Sequence, residues 1–515
     1  MYQSARSLIA TSVFALSTLP ATAQEPVYWD VVADIRREAF DNSHVMEYAG
    51  FLTDVIGPRL TGSQNMRQAQ RWALNEMRQL GLSRVEREAW GDQTAGWDIQ
   101  RISVHMIEPD YQMVIAYPLA FTPGTGGKIV ERAIIADIRS PNDLDQYRGR
   151  LHNAIVLATP PMPTSPRFVQ DAFRHTEESL HTFETEGRDL LVQRHGRGQP
   201  EQRTFRPEGI SELEVEQFFK AEGVAVVLKA SIGSDGTVYA TGHPGSRAER
   251  SRASIEGALP TLAVAAEHYN RIYRILDRGL AVTMEVDIQI AIDDSDPTGY
   301  NIIGEIPGTD LADEVVAIGA HLDSWHTGTG ATDNATGVSV MLEAMRILQA
   351  LGTTPRRTIR ILLWSHEEGG LRGSRGYVRT HFGNPRDGTT PAHEKFAVYF
   401  NMDNGTGQFR GVHLQGNRAT MPIFEAWMKP FHDLDVRTIS QFSNRGTDHL
   451  SFNEAGLPGF QFVQDRIEYR ARTHHFNMDT FDKLLPRDLM INASVVASFA
   501  YHAAMRDERF PRPGG

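Results

Sequence analysis

A strand, a glycine-rich loop and a helix follow one another between residues 315 and 345, and the loop carries a histidine and two aspartates. Val315-Val-Ala-Ile-Gly-Ala320 is short, apolar and rich in β-branched residues, the composition of a strand buried on both faces of an α/β sheet. It runs into His321-Leu-Asp323, then through Gly328 and Gly330 to Asp333-Asn-Ala-Thr-Gly337. Beyond Gly337, Val338, Met341, Leu342 and Met345 recur at helical spacing, which predicts an amphipathic helix. Open α/β sheets place their chemistry where strands end. A His, an Asp two residues later and a further Asp are by themselves a modest signal.

The same punctuation recurs downstream. The predicted strand Thr358–Ser365 runs into His366-Glu367-Glu368-Gly-Gly370, and Ala397–Met402 runs into Asp403. A last loop, Arg472-Thr-His474-His475-Phe-Asn-Met-Asp479, precedes a C-terminal helix predicted over 488–506. Taken alone, Glu367-Glu368 reads as well as a solvated acidic pair opening a helix, favoured by the helix dipole. Gathered at the strand ends of one parallel sheet, these groups could hold two Zn2+ ions roughly 3.5–4 Å apart. Imidazole nitrogen and carboxylate oxygen suit zinc at about 2.0–2.2 Å, and two such close cations need a bridging carboxylate between them. The chain has no cysteine, so a metal site must be built from His, Asp and Glu.

The rest of the chain sets the frame. Its 515 residues suggest two or three domains. A net charge of −12 argues against nucleic acid or an anionic membrane as partner. Arg6, an apolar run from Leu8 to Leu19 and Ala21-Thr-Ala23 describe a signal peptide over residues 1–23, so the mature chain is expected to be exported, periplasmic or secreted. Its apolar core is too short to span a bilayer, and no membrane association is expected after cleavage. Helices are predicted over 31–52 and 63–80, with Gly81 as the C-terminal stop and an edge strand over 85–90. Short strands around 133–136, 154–158 and 224–228, with a capped helix from Ser211, mark residues 124–260 as a β-rich insertion. The charges of its polar stretch, 160–207, read as a solvated surface. Residues 24–123 and 261–515 then form one catalytic domain, with further strands over 282–292 and 300–306.

The motifs in this order resemble metallopeptidase family 28, the di-zinc aminopeptidases and their relatives. The nearest likeness is to the branch with a protease-associated insertion domain, the plasma glutamate carboxypeptidase type. It rests on Ile56-Gly-Pro-Arg-Leu-Thr-Gly62, His321-Leu-Asp-Ser-Trp-His326, Asn401-Met-Asp-Asn-Gly-Thr-Gly407, Thr447-Asp-His-Leu-Ser-Phe452, and Thr473-His-His475 with Met478-Asp-Thr480. It runs from about Gly57 to Met505 and is strongest after Asn301.

The resemblance implies a zinc-exopeptidase fold, α/β with a mixed, mostly parallel sheet flanked by helices. It implies two Zn2+ per chain, one held by His321 and Asp403, the other by Glu368 and His475, with Asp333 bridging. Glu367 would be the general base, Asp323 would hold the second ring nitrogen of His321, and the Asp333-Asn334 peptide would be cis. His475 rather than His474 matches the ligand position, four residues before Asp479. Tyr469 would pack near the site or hydrogen-bond an oxyanion. His326, His449 and His474 would line the pocket, and His366 stands where many relatives have Gly. The implied activity is hydrolysis of a terminal bond in short peptides; Arg445, Arg470, Arg472 and Asp448 are candidates for gripping the free end. A one-zinc glutaminyl-cyclase-like transferase and an inactive binding module on the same fold are the alternatives. The oligomeric state is unassigned, a homodimer being one option.

Overall fold

A computed structural model describes residues 25–92, 95–166, 168, 170–187, 208–247 and 250–513; the expected signal peptide and residues 188–207 lie outside it. The chain builds two eight-stranded sheets. The first runs, in spatial order, Ser83–Asp92, Thr298–Ile306, Arg357–Trp364, Leu311–His321, Phe396–Asn401, Gly459–Gln464, Phe409–His413 and Thr438–Ser440. Its four central members, Arg357–Trp364, Leu311–His321, Phe396–Asn401 and Gly459–Gln464, are mutually parallel, and antiparallel strands flank them on both sides. The central strands are buried, apart from the first residues of Leu311–His321, because helices cover both faces. On one face Val338, Met341, Leu342 and Met345 of the helix Thr336–Ala350 join Val495, Val496 and Phe499 of Pro486–Met505 in the main core. On the other face Trp364, Tyr377, Tyr399 and Phe452 form a smaller aromatic cluster.

Several expectations shift in detail. The helix after the metal loop is buried on all sides from Thr336 to Leu348, not amphipathic, because it lies between the sheet and the outer helices. Its one carboxylate, Glu343, is fully buried and paired with Arg346 at 2.9 Å. The single helix expected over 31–52 is two α-helices, Trp29–Asp41 and Val45–Gly50, running into the π-turn Phe51–Ile56; the polar Asn42-Ser43-His44 breaks it. The helix Gln64–Gln79 is capped by the Ser63 hydroxyl and ends at Gly81, whose φ of +74° permits the reversal.

The second sheet runs Gln112–Met113, Gly96–Glu108, Thr283–Asp293, Ile129–Ile135, Ile155–Leu157, Val226–Ala230, Thr261–Val264 and Ala116–Pro118. It therefore reaches beyond 124–260 on both sides. Gly96–Glu108 and Thr283–Asp293 are long strands that pair with each other and leave the first sheet together. The helix Ala266–Asp277 packs Tyr269 and Ile272 onto it.

Part of the polar stretch is not a free surface. Arg174 reaches Asp465 at 3.0 Å and Asp488 at 2.6 Å, and Leu180 and Phe183 of the helix Glu177–Glu186 bury against Val463. Residues 171–183 thus strap the second unit onto the first sheet. No helix among the described residues is long and apolar enough to cross a membrane.

Candidate metal centre

The four parallel strands end at one edge of the sheet, and each delivers its polar group there. His321 closes Leu311–His321; Glu367 and Glu368 follow Arg357–Trp364; Asp403 follows Phe396–Asn401; His475 stands on the loop after Gly459–Gln464. Asp333 arrives from the loop between His321 and the central helix, and its peptide bond to Asn334 is cis. Asn334 is buried, donating to the Met402 carbonyl at 2.8 Å and accepting from Gly337 N–H at 3.0 Å, so the glycosylation sequon Asn334-Ala-Thr336 is closed to a glycan.

Asp333 divides its two carboxylate oxygens. Oδ1 lies 3.3 Å from His321 Nε2, and Oδ2 lies 3.3 Å from His475 Nε2. Asp403 Oδ1 is 3.5 Å from His321 Nε2, and Glu368 Oε2 is 3.0 Å from His475 Nε2. Glu367 gathers with His321 and Asp403, and His474 with Asp333 and His475, each trio bringing its ligand atoms within 4.8 Å of one another. A small cleft lies here, lined by Asp333, Glu368, His475, Trp325, Phe476 and the glycines of the metal loop.

The electrostatics call for a cation. Burial pushes the Glu367 carboxyl well above its usual range and Glu368 up to about 7. Burial also opposes charge on His321, but the neighbouring carboxylates of Asp403 and Glu367 outweigh it and raise the imidazole well above normal. Asp333 is held well below the carboxylate range because contact with His321 and His475 outweighs its burial. His321 Nε2, Asp333 Oδ2 and Glu368 Oε1 are buried without a hydrogen-bond partner. Buried polar atoms are normally satisfied, so orphans converging on one cleft fit a bound metal. The His and carboxylate donor set fits Zn2+.

The surroundings fix these groups. His321 Nδ1 donates to the main-chain carbonyl of Asp323 at 2.9 Å, while the Asp323 carboxylate is 3.7 Å away. The sequence assigned that contact to the carboxylate; the tight turn after the strand brings the carbonyl nearer. The Asp323 carboxylate instead accepts from Thr61 Oγ1 at 2.8 Å and from the backbone N–H groups of Glu367 and Glu368 at 3.2 and 3.4 Å. Asp479 accepts from the N–H groups of Thr332 and Asp333 at 2.6 and 3.1 Å. Such outer contacts orient ligands.

Arg59, in the Gly-Pro-Arg motif, was not given a role by sequence reasoning. It is fully buried, and its guanidinium donates to the carbonyls of Leu322, Leu52, Gly57, Thr329 and Gly330 at 2.8–3.2 Å. It thereby moulds the loop between His321 and Asp333. An arginine followed by a turn glycine was the visible signal, but nothing local says which carbonyls it meets.

The other candidates take separate places. Tyr469 Oη donates to Asp403 Oδ1 at 3.3 Å and its ring stacks on His474. His326 Nε2 donates to the Pro118 carbonyl at 2.7 Å, tying the metal loop to the second sheet. His449 Nε2 contacts the Asn444 carbonyl at 3.2 Å. Asp448 is buried, and burial pushes it up to about 7. Arg472 pairs with Asp171 at 2.7 Å, and Arg445 is exposed.

Residues 301–500, the span that holds all the gathered side chains, match the family model described as Peptidase family M28. That span carries the likeness to this family. Mouse (Mus musculus) carboxypeptidase Q is 26% identical over 469 residues, covering 90% of this chain and 87% of that protein. A peptidase M28 precursor from Shewanella amazonensis superposes with a TM-score of 0.66 at 24% identity, covering 95% of this chain and 99% of the other. A zinc aminopeptidase from Bacillus subtilis gives 0.55 at 17% identity, covering 90% and 95%. Both solved structures share this chain's fold.

Proposed function

We propose that this M28 metallo-exopeptidase binds two Zn2+ and hydrolyses a terminal bond of short peptides. The observation that carries the reading is the division of Asp333 between His321 and His475 at 3.3 Å each, the arrangement a bridging carboxylate requires. His321 and Asp403 would hold one ion, Glu368 and His475 the other. Bound Zn2+ would polarise the scissile carbonyl and acidify a water in the cleft. Glu367 is the general base: it gathers with His321 and Asp403 in the site, where it can take the water's proton and pass it to the departing amine. Trp325 and Phe476 line the cleft and give it an apolar wall. Tyr469 and His474 steady Asp403 and the His475 loop from the side.

The likeness to carboxypeptidase Q along most of both chains supports an exopeptidase. Residues 1–23 support export with the leader removed, and the net charge supports peptide rather than nucleic-acid substrates. The test is Glu367→Gln assayed on short peptides with free or blocked termini, beside zinc content. Loss of roughly 10³-fold or more in kcat with two zincs retained supports the reading. Full activity in Glu367→Gln would sink it, and a single zinc with pyroglutamate formation would favour a cyclase.

A further inference from the structure

The second sheet's unit reaches into the turn that carries the acidic pair. His366, immediately before Glu367, is fully buried and has φ of +61°, a backbone conformation that side-chain-bearing residues seldom adopt. Such a conformation persists where the surroundings over-determine it. Three contacts do so here. Arg250 Nη1 stands 3.0 Å from His366 Nε2, so that nitrogen accepts and the ring carries its proton on Nδ1. Trp90 meets the ring edge-on at 5.6 Å, while its indole N–H donates to Ser365 Oγ at 2.8 Å. Gly369 folds back so closely that a Cβ there would fall 1.9 Å from the imidazole and 3.2 Å from Arg250 Nη2.

Arg250 is itself held rigidly. Its Nε donates to the Ser246 carbonyl at 3.0 Å, its guanidinium lies 4.4 Å over the Phe121 ring, and its own carbonyl accepts from Ala95 N–H at 3.0 Å. It is buried, and among the described residues no carboxylate lies within ion-pairing distance of it. Buried guanidinium groups ordinarily have such a partner. Because Nε2 accepts from the guanidinium, the contact is between a cation and a neutral ring.

We propose that Arg250, supplied by the second unit, is a positioning residue that acts through His366 to fix Glu367 and Glu368 in the cleft. Asp323 clamps the same turn from the first sheet by accepting from both glutamate N–H groups. The turn is thus pinned from two sides, and the placement of the base depends on how the second unit is seated. The inference rests on the reading of Glu367 as base and Glu368 as ligand.

The experiment compares Arg250→Met, His366→Gly and the double variant, each in the full-length enzyme. Two quantities are read: peptide kcat and KM, and Zn2+ affinity by competition with a chromogenic chelator. Each single variant is expected to lose about 10- to 100-fold in kcat and in the affinity of the weaker zinc, the range for contacts behind a ligand, with KM changed about twofold or less. The double variant should lose no more than the worse single, because both act through one contact. Additive losses, or parental kcat and zinc affinity in both singles, overturn the proposal. If Arg250→Met does not fold, His366→Gly and Arg250→Lys, which keeps the charge without the planar fork, carry the same comparison. Activity surviving in Glu367→Gln would fault the functional reading instead, and zinc affinity in the Arg250 variants would still decide this one.

Discussion

The carboxylate of Asp323 accepts the backbone N–H of Glu367 at 3.2 Å, although 44 residues separate them. With its second oxygen shared between Thr61 and the Glu368 N–H, that side chain is the hub between the GPRLTG loop, the His321 strand and the acidic pair.

Asp323→Asn should therefore act on the glutamates rather than on His321. The main-chain carbonyl that holds His321 Nδ1 survives the substitution. One acceptor oxygen becomes an amide donor facing a backbone donor, so the turn loosens. We expect about 10- to 100-fold lower kcat, with weakened zinc binding at Glu368 and little change at His321. Steady-state kinetics and chelator competition measure both; equal weakening at the two metals would contradict it.

Asp333→Ala removes the group that faces both imidazoles. Zinc content measured by mass spectrometry after dialysis should fall below two per chain, since without the shared anion two close dications repel. Two tightly held zincs in this variant would show that Asp333 does not bridge.

Arg59→Met tests the loop scaffold. It strands carbonyls that now accept from one guanidinium. Leaving buried acceptors unpaired costs about 1–3 kcal/mol each, so the variant should lose roughly 3–5 kcal/mol in denaturant unfolding of the metal-free protein. A loss under about 1 kcal/mol would mean water or repacking replaces the guanidinium.

Glu216 gives a pH prediction remote from the metals. Its carboxylate meets His243 Nε2 at 2.7 Å, Lys220 at 3.0 Å and the Leu259 N–H at 3.0 Å. Burial opposes its charge, but these contacts outweigh burial and lower it from 4.5 to about 2. A depressed carboxylate contributes stability that is present above its unfolded value, near 4.5, and lost as the pH falls towards 2. Acid unfolding of the second sheet, followed by circular dichroism, should steepen below about pH 4.5 in the parent. Glu216→Gln should flatten that limb; an unchanged acid profile would refute it.

The strand-ending pattern of residues 311–403 was readable because each of these strands is a mostly apolar, β-branched or aromatic run that stops at polar groups, and parallel strands must bring such stops to one edge. His321, Glu367, Glu368 and Asp403 were legible for that reason, whereas Asp333 and His475 stand on loops and were singled out by the family resemblance. The break at Asn42–His44 and the all-round burial of Thr336–Leu348 were not, because both depend on neighbours that local periodicity does not contain. The reach of the second sheet to 96–118 and 261–293 was missed because Gly96–Glu108 and Thr283–Asp293 find their partner some 180 residues away.

By itself, then, the sequence determined the chemistry: a cysteine-free donor set of imidazoles and carboxylates, its order, and the strands that carry it. Only the tertiary structure decided which oxygen faces which nitrogen, that Asp323 reaches the glutamates through its carboxylate and His321 through its carbonyl, and that Arg59 and Arg250 brace the loops. The physical reason is range. Periodicity and composition act over a few residues, whereas a buried arginine or carboxylate must satisfy every donor and acceptor it has, and those partners come from wherever the fold brings them.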